Sequence, residues 1–220
     1  MKAYKAYIFD LDGTLLDSMG VWEQIDVDFL EKRGIAVPPD YMNAVSPMTP
    51  HEATAYTIKR FALRDSVDGL MREWNEMAAY AYGHTVRMKP YAKEYLMTLR
   101  ERGVKLAVAT SLSAELRNPA LRNNGIDTMF HAICSTDEAG CGKSRPDVFL
   151  LAAQKIGVAP DDCLVFEDIL AAVKSAKSAG MDVCAVYDKT SANDWEEIKT
   201  AADYAIDDFR DAPLPVSWNS

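Results

Sequence analysis

The fold of this chain is decided by residues 7–14, whose sequence is YIFDLDGT. The apolar run that begins at Ala6 stops at Asp10, and this pattern predicts a short buried strand with polar groups at its C-terminal end. Beyond Gly13, apolar residues recur at spacings of three and four until Gly34, which is typical of an amphipathic helix. The chain therefore opens with one strand and then becomes helical.

Two kinds of pattern follow one another along the rest of the chain. Residues 16–86 keep the helical period and contain no strand signal, whereas short apolar runs alternate with helical segments from Pro90 onward. Further strands are predicted at 104–109, 132–134, 164–166 and 183–186, and helices at 94–102, 114–123, 146–156 and 171–179. Strands and helices that alternate in this way build a parallel sheet with helices on both faces.

The predicted fold class is therefore α/β, with a doubly wound, Rossmann-like parallel sheet and an all-helical insertion. The expected domains are an α/β catalytic core of residues 1–15 and 87–220 and a helical cap of residues 16–86. A chain of 220 residues is long enough to bury such a core without a structural metal or disulfides.

Charge and composition narrow the expected partners. The chain has 33 acidic and 24 basic residues, and because it lacks a clustered basic stripe we expect no nucleic-acid partner. No apolar run approaches the ~18 residues of a membrane span, and Asp10 interrupts the first run, so neither a membrane partner nor a signal segment is expected. The four cysteines form no C-x-x-C pair, which favours reduced thiols over a zinc site. We expect a cytoplasmic protein, with the monomer favoured.

Polar side chains follow the predicted strands at the points where the strands end. In open α/β sheets ligands bind at the carboxyl ends of the strands, so these positions are the candidates for chemistry. They are Asp10 and Asp12 after the first strand, Thr110 and Ser111 after the second, Glu167 and Asp168 after the fourth, and Lys143 in the loop before the helix at 146–156.

This combination of residue types suits phosphoryl transfer. Asp10 and Asp168 offer the hard oxygen ligands that Mg²⁺ prefers, and a metal lets carboxylates and a phosphate share one site. One carboxylate of the Asp10 and Asp12 pair can attack phosphorus and form an aspartyl phosphate, while the other acts as acid and base. The residue types alone leave open which of the two does which.

Four segments resemble, in the same order, the motifs of the haloacid dehalogenase superfamily. They are FDLDGTLLDS at 9–18, ATS at 109–111, GKSRPDVF at 142–149 and VFED at 165–168, which AGM follows at 179–181. One D-x-D-G-T motif alone is moderately specific, but four motifs in order at predicted strand ends are strongly so. The resemblance covers essentially the whole chain. It is greatest to the branch of β-phosphoglucomutases and phosphoglycolate phosphatases, which carry a helical cap between the first two motifs.

The resemblance implies a role in catalysis for three residues. Asp10 is implied as the nucleophile. Asp12 is implied to protonate the leaving oxygen and then to activate water, with its backbone carbonyl on the metal. Lys143 is implied to balance charge between Asp10 and the phosphoryl group.

The resemblance also implies which residues bind substrate and metal. Thr110 and the Ser111 amide are implied to hold phosphate oxygens, together with Lys143. Asp168 is implied to complete the Mg²⁺ site with the help of Glu167, beside Asp10 and Asp12. Departures from the family pattern lie next to these positions: SR follows Lys143 at 144–145, and ILA follows Asp168 at 169–171.

We therefore predict a phosphoric monoester hydrolase that depends on Mg²⁺ and acts on a small phosphorylated metabolite such as a sugar phosphate. One alternative is a phosphate-shifting isomerase like β-phosphoglucomutase, and another is a non-catalytic binding protein of the same fold. The resembled mutases have a cap histidine twelve residues after the nucleophile, where this chain has Trp22, and this favours hydrolysis. The intact set of acids with Lys143 argues against a binding protein.

Two further segments bear on the site. GCGKS at 140–144 resembles the end of a P-loop, but that motif needs a glycine where this chain has Asp137, whose carboxylate would repel phosphates. A nucleoside triphosphatase is therefore not predicted. Substrate selection is expected in the cap, around residues 38–49, with Trp22 as a candidate contact; the sequence does not name the substrate.

Overall fold

The computed structural model describes residues 2–45, 48 and 50–215 of the chain. The strands are β1 (Ala6–Phe9), β2 (Lys105–Thr110), β3 (Ala132–Ser135), β4 (Cys163–Glu167), β5 (Asp182–Val186) and β6 (Tyr204–Ile206). The helices are α1 (Val21–Glu31), α2 (Tyr41–Val45), α3 (Pro50–Arg60), α4 (Val67–His84), α5 (Ala92–Glu101), α6 (Ala114–Asn123), α7 (Thr136–Ala139), α8 (Asp147–Ile156), α9 (Leu170–Ser178) and α10 (Trp195–Ala201).

The six strands of the described ranges form one parallel sheet in the order β3-β2-β1-β4-β5-β6. β2 and β3 extend the sheet on one side of β1, and β4 to β6 extend it on the other side. This reversal of direction is the doubly wound arrangement, so the predicted α/β fold class is confirmed. Phe9 pairs with Val108 on β2 and with Phe166 on β4. The central strands therefore end at nearly the same level, and the residues that follow them share one edge of the sheet.

The alternation of side chains along β1 explains why the sheet is buried on both faces. Ala6 and Ile8 belong to a core cluster with residues of α8 and α9. Tyr7 and Phe9 point the other way, where their rings meet Tyr95 of α5 at 6.4 Å and 6.3 Å between centroids. Because both faces are covered, the strand has no polar residue until Asp10.

The chain divides into two compact units, Met1–Met19 with Val86–Ser220 and Gly20–Thr85. We call them the α/β unit and the helical unit. The helical unit contains α1 to α4, and inside it the ring of Phe29 on α1 meets Trp74 on α4 edge to face at 5.8 Å. The observed boundaries lie a few residues from the expected ones, because residues 16–19 and 86 make their contacts within the α/β unit.

Within the described ranges, four short α-helices and strands were not expected from the sequence: α2, α7, α10 and β6. β6 has only three residues, Tyr204–Ile206, and its middle residue is exposed, so its pattern carries no clear period. It is recognised by its pairing with β5, which places Ile206 beside Val186.

The expectations about membrane spans, cysteines and the substrate-selecting segment can be compared with the structure. Within the described ranges, no helix is both long and apolar enough to cross a membrane. The cysteine side chains are free thiols, and three of them (Cys134, Cys163 and Cys184) are buried, as expected for small apolar residues of the core. In the expected substrate-selecting segment, Ser46, Pro47 and Thr49 lie outside the described residues.

Candidate active site

The residues after β1 form a tight turn that brings the backbone close to Asp168. Asp10 prolongs β1, because its amide donates a hydrogen bond to the carbonyl of Phe166 at 3.1 Å. The turn then closes through the Leu16 amide, which donates to the Leu11 carbonyl at 2.8 Å. Gly13 has φ of +77°, and a Cβ there would lie 2.3 Å from Oδ2 of Asp168. Only glycine therefore allows this turn to lie against the carboxylate.

Lys143 joins two of the predicted acids. Its Nζ forms one ion pair with Oδ1 of Asp10 and another with Oε1 of Glu167, the second at 2.5 Å. The three side chains are 10%, 6% and 0% exposed. One cation therefore faces two carboxylates at a place almost closed to water.

Asp168 has one satisfied and one unsatisfied oxygen. Its Oδ1 accepts a hydrogen bond from the Thr14 hydroxyl at 2.9 Å. Its Oδ2 is buried and has no hydrogen-bond partner among the described residues. Oxygens of Asp10, Glu167 and Asp168 also lie within 4.8 Å of one another. Such carboxylate oxygens are the donors that hard divalent cations prefer, so the cluster fits a cation of this kind.

Burial or neighbouring charges raise the pKa values of Glu167, Asp168 and Lys143. Burial, together with the neighbouring Asp10 carboxylate, holds the pKa values of Glu167 and Asp168 well above their ordinary range. Burial disfavours the charged form of Lys143, but the carboxylates of Asp10 and Glu167 outweigh it and raise the pKa of the lysine. The cluster thus has three carboxylates but only one lysine among the described residues, and a bound cation would supply the missing positive charge.

The remaining predicted residues end or follow the neighbouring strands β1 and β2, at the same edge of the sheet. Asp12 accepts a hydrogen bond from the Ser18 hydroxyl at 2.6 Å. Thr110 ends β2, the strand next to β1, and its buried hydroxyl accepts a hydrogen bond from the Leu112 amide at 3.1 Å. Ser111 follows and is exposed. Within the described part of the chain, neither Thr110 nor Ser111 forms a hydrogen bond or ion pair with the cluster of acids.

Sequence reasoning assigned no role to Thr14, Ser18 or Gly13. All three lie inside the FDLDGTLLDS segment, so the signal was present, but their partners were not visible. Thr14 donates to a residue 154 positions away. The close approach of Gly13 to Asp168 likewise exists only once β1 and β4 are neighbours.

Comparison with known proteins identifies the family. A family model described as haloacid dehalogenase-like hydrolase matches residues 7–186, which include most of β1, all of β4 and every acid described above. The chain belongs to the haloacid dehalogenase-like hydrolases. The observed sheet and the order of the four motifs agree with this membership, and the resemblance predicted from the sequence is confirmed.

Two curated relatives of this haloacid dehalogenase-like hydrolase span most of its length. A phosphorylated carbohydrates phosphatase of Thermotoga maritima is 25% identical over 178 residues, which is 81% of this chain and 82% of the relative. A fructose-1-phosphate phosphatase of Escherichia coli is 29% identical over 182 residues, covering 82% of this chain and 95% of the relative.

Among solved structures, a Thermotoga maritima protein proposed to be a β-phosphoglucomutase superposes with a TM-score of 0.83. It is 24% identical, and the match covers 92% of this chain and 94% of that one. At this identity the likeness shows the fold alone. It does not separate hydrolysis from phosphate shifting, because both kinds of enzyme use the same fold.

Proposed function

We propose that this chain is a Mg²⁺-dependent phosphatase of small phosphorylated metabolites that works through an aspartyl phosphate on Asp10. The chain is a phosphoric monoester hydrolase of the haloacid dehalogenase-like family. The observation that carries the mechanism is the cluster in which Lys143 contacts both Asp10 and Glu167, while one buried oxygen of Asp168 finds no hydrogen-bond partner in the described ranges.

Asp10 is the nucleophile in this proposal. Its Oδ1 is paired with Lys143, which lowers the repulsion between the carboxylate and an approaching phosphate dianion. Attack by Asp10 on phosphorus breaks the bond to the leaving oxygen and leaves the phosphoryl group on the carboxylate. Asp12 gives its proton to that leaving oxygen, so that the product departs as a neutral alcohol.

The second half-reaction uses the same acid in the opposite sense. Asp12, now a carboxylate, takes a proton from a water molecule that attacks the phosphorus of the aspartyl phosphate. Phosphate is released, and Asp10 and the protonated Asp12 are restored. The hydrogen bond from Ser18 fixes Oδ1 of Asp12 during both steps, which favours one position for the proton-carrying oxygen.

We assign the metal to Asp10 and Asp168, with Glu167 and the Asp12 backbone carbonyl in support. When bound, Mg²⁺ would neutralise phosphate and carboxylate charge and orient the phosphoryl group. Glu167 also holds Lys143 in place through their 2.5 Å ion pair. We assign phosphate binding to Thr110 and the Ser111 amide, at the end of the strand that neighbours β1.

The curated relatives support a sugar phosphate as the substrate class. The Thermotoga maritima relative is named for phosphorylated carbohydrates and the Escherichia coli relative for fructose 1-phosphate. The test is a screen of sugar and polyol phosphates, with phosphate release measured in the presence and absence of Mg²⁺. Release that is equally fast after chelation of divalent cations would refute the metal assignment.

Hydrolysis is favoured over phosphate shifting because the position twelve residues after Asp10 is Trp22, which has no titratable group to restrain Asp12. Water at about 55 M then competes strongly for the aspartyl phosphate. The enzyme should be incubated with β-glucose 1-phosphate, Mg²⁺ and a trace of the bisphosphate. Conversion to glucose 6-phosphate much faster than release of phosphate would overturn this choice.

A further inference from the structure

The proposed acid, Asp12, lies on a turn that a second segment of the chain supports. The turn of residues 11–16 and Asp17, which directly follows it, are joined to residues 87–89 by two backbone hydrogen bonds. The Asp17 amide donates to the Arg87 carbonyl at 2.9 Å, and the Lys89 amide donates to the Leu15 carbonyl at 2.9 Å. An antiparallel bridge between residues 16 and 88 lies between them. The position of residue 89 therefore helps to set the position of the turn.

The side chain of Lys89 fixes this support to the sheet. Its Nζ lies 2.9 Å from Oδ2 of Asp188 and donates a hydrogen bond to the Tyr187 carbonyl at 2.6 Å. Both residues follow β5, the strand next to β4, so this anchor is at the same edge of the sheet as Asp168. The side chains of Lys89 and Asp188 are 11% and 4% exposed.

Asp188 is itself held rigidly. Its Oδ1 accepts hydrogen bonds from the amide and the hydroxyl of Thr190, at 2.9 Å and 2.7 Å. Burial opposes its charge, but the hydrogen bonds from Thr190 and Lys89 outweigh burial and hold the pKa of Asp188 below its ordinary value. The carboxylate is therefore charged at neutral pH and offers Lys89 a fixed partner.

The proposed reaction makes no use of this pair, and stability alone does not account for it. A buried lysine–carboxylate pair adds little net stability over apolar side chains of the same volume, but it restricts its surroundings to one geometry. Here that geometry is the one in which the segment of residues 87–89 supports the turn that carries Asp12.

We propose that Lys89 is a positioning residue of the reaction, which through its ion pair with Asp188 holds the turn of residues 11–16 so that Asp12 reaches the leaving oxygen. This inference rests on the proposed function, because it assumes that Asp12 is the acid. It predicts a loss that depends on the leaving group. Expulsion of phenolate needs a proton from Asp12, whereas p-nitrophenolate leaves readily without one.

The experiment compares kcat/KM for phenyl phosphate and p-nitrophenyl phosphate, two substrates of nearly the same shape, at saturating Mg²⁺. For Lys89→Met we expect a loss of about 20-fold with phenyl phosphate and less than about 3-fold with p-nitrophenyl phosphate. Lys89→Arg, which can still pair with Asp188, should recover phenyl phosphate turnover to within about 5-fold of wild type. A merely structural role for Lys89 would lower both substrates alike.

Three further variants make the outcome decisive. Asp188→Asn keeps the shape of the site and should show the same selective loss if Lys89→Met fails to fold, as judged by thermal unfolding. Lys177→Met breaks an ion pair with Asp203, which lies near the start of β5, at the opposite end of that strand from Asp188, and it should change turnover of neither substrate. Asp12→Ala reports on the acid itself. If Asp12→Ala loses mainly the turnover of phenyl phosphate but neither Lys89→Met nor Asp188→Asn does so, this inference alone is overturned. If Asp12→Ala loses turnover of both substrates equally, Asp12 is not the acid, and both the proposed acid and this inference are overturned.

Discussion

Glu167 in the α/β unit and Glu73 in the helical unit both pair with cations, but their surroundings differ in two ways. Glu73 is 23% exposed and pairs with two cations, Lys32 at 2.9 Å and Arg33 at 2.6 Å, of which Arg33 also pairs with Asp65 at 3.2 Å. Glu167 is fully buried and shares Lys143 with Asp10. The hydrogen bond from Arg33 lowers the pKa of Glu73 to about 2, whereas burial raises the pKa of Glu167.

The comparison shows that two properties separate an acid of a surface ion pair from an acid of a binding site: its burial and the ratio of cations to carboxylates around it. In the helical unit two cations, Lys32 and Arg33, face two partly exposed carboxylates, Glu73 and Asp65, so that the charges balance. Ion pairs that solvent can reach add little to stability. In the α/β unit the acids outnumber the nearby cation, and this imbalance favours the binding of a metal and a phosphate together. The predictions below test this difference, beginning with the largest expected effect.

The first prediction concerns the acid that shares Lys143. Asp10→Asn should lower phosphate release by at least about 10³-fold, because an amide is a poor nucleophile and the covalent step is lost. Asp65→Asn, which weakens a pair with Arg33 in the helical unit, should leave turnover unchanged. Thermal unfolding of both variants and the Mg²⁺ affinity of Asp10→Asn are measured alongside. Activity of Asp10→Asn within tenfold of wild type would end its assignment as the nucleophile.

The second prediction concerns the acid with an unsatisfied oxygen. Asp168→Ala should raise the Mg²⁺ concentration for half-maximal activity by at least about tenfold, since it removes a hard oxygen ligand. Ca²⁺ should inhibit the wild type, because its longer bonds disturb the attack geometry. An unchanged Mg²⁺ titration in Asp168→Ala would contradict the ligand assignment.

The third prediction compares two glycines of positive φ, one in each unit. Gly13→Ala and Gly34→Ala both force an alanine into the left-handed region, at φ of +77° and +70°, which costs about 1–2 kcal/mol. Gly34 has open space around it, but a Cβ at Gly13 collides with Asp168. Gly13→Ala should therefore lose about 2 kcal/mol more stability in urea unfolding and most of its activity, whereas Gly34→Ala keeps its activity. Equal stability losses in the two variants would contradict the close approach at Gly13.

The smallest expected effect is on the pH dependence of stability in the helical unit. Burial raises the pKa of Asp26 to about 6, although a hydrogen bond from Tyr41 opposes this. Between pH 4 and 6 the folded chain therefore holds a proton that the unfolded chain has lost, so this contribution to stability grows as the pH falls. The carboxyl is only partly shielded from solvent, and we expect about 1 kcal/mol.

Asp26→Asn should remove that dependence. The measurement is urea unfolding of both proteins from pH 4 to 7, with the stability difference between them plotted against pH. Because the other titrating groups are common to both proteins, they cancel in the difference. If the stability difference did not vary with pH, Asp26 would be solvated. Burial without a neighbouring cation would then not raise the pKa of an acid in the helical unit.

Much of the fold followed from local patterns. The run before Asp10 is apolar at every position because β1 is covered on both faces, and this made the strand recognisable. The helix α6 was expected at its observed bounds, which end just before Asn124 and Gly125. The helix α8 was expected to within one residue, since it buries one regular stripe. β6 was missed because three residues at the edge of a sheet carry too little pattern, and only pairing with β5 defines them.

The sequence by itself determined the parallel sheet, the family and which residue types meet at the edge of the sheet, because strand ends and motif order are local properties of the chain. Tertiary structure alone decided that Lys143 is shared between two acids and that Lys89 pairs with Asp188. It also decided that one oxygen of Asp168 has no hydrogen-bond partner in the part of the chain that the structure describes. Each of these facts joins residues on different strands or loops. Their burial and pKa values depend on distances that arise only when the sheet has assembled.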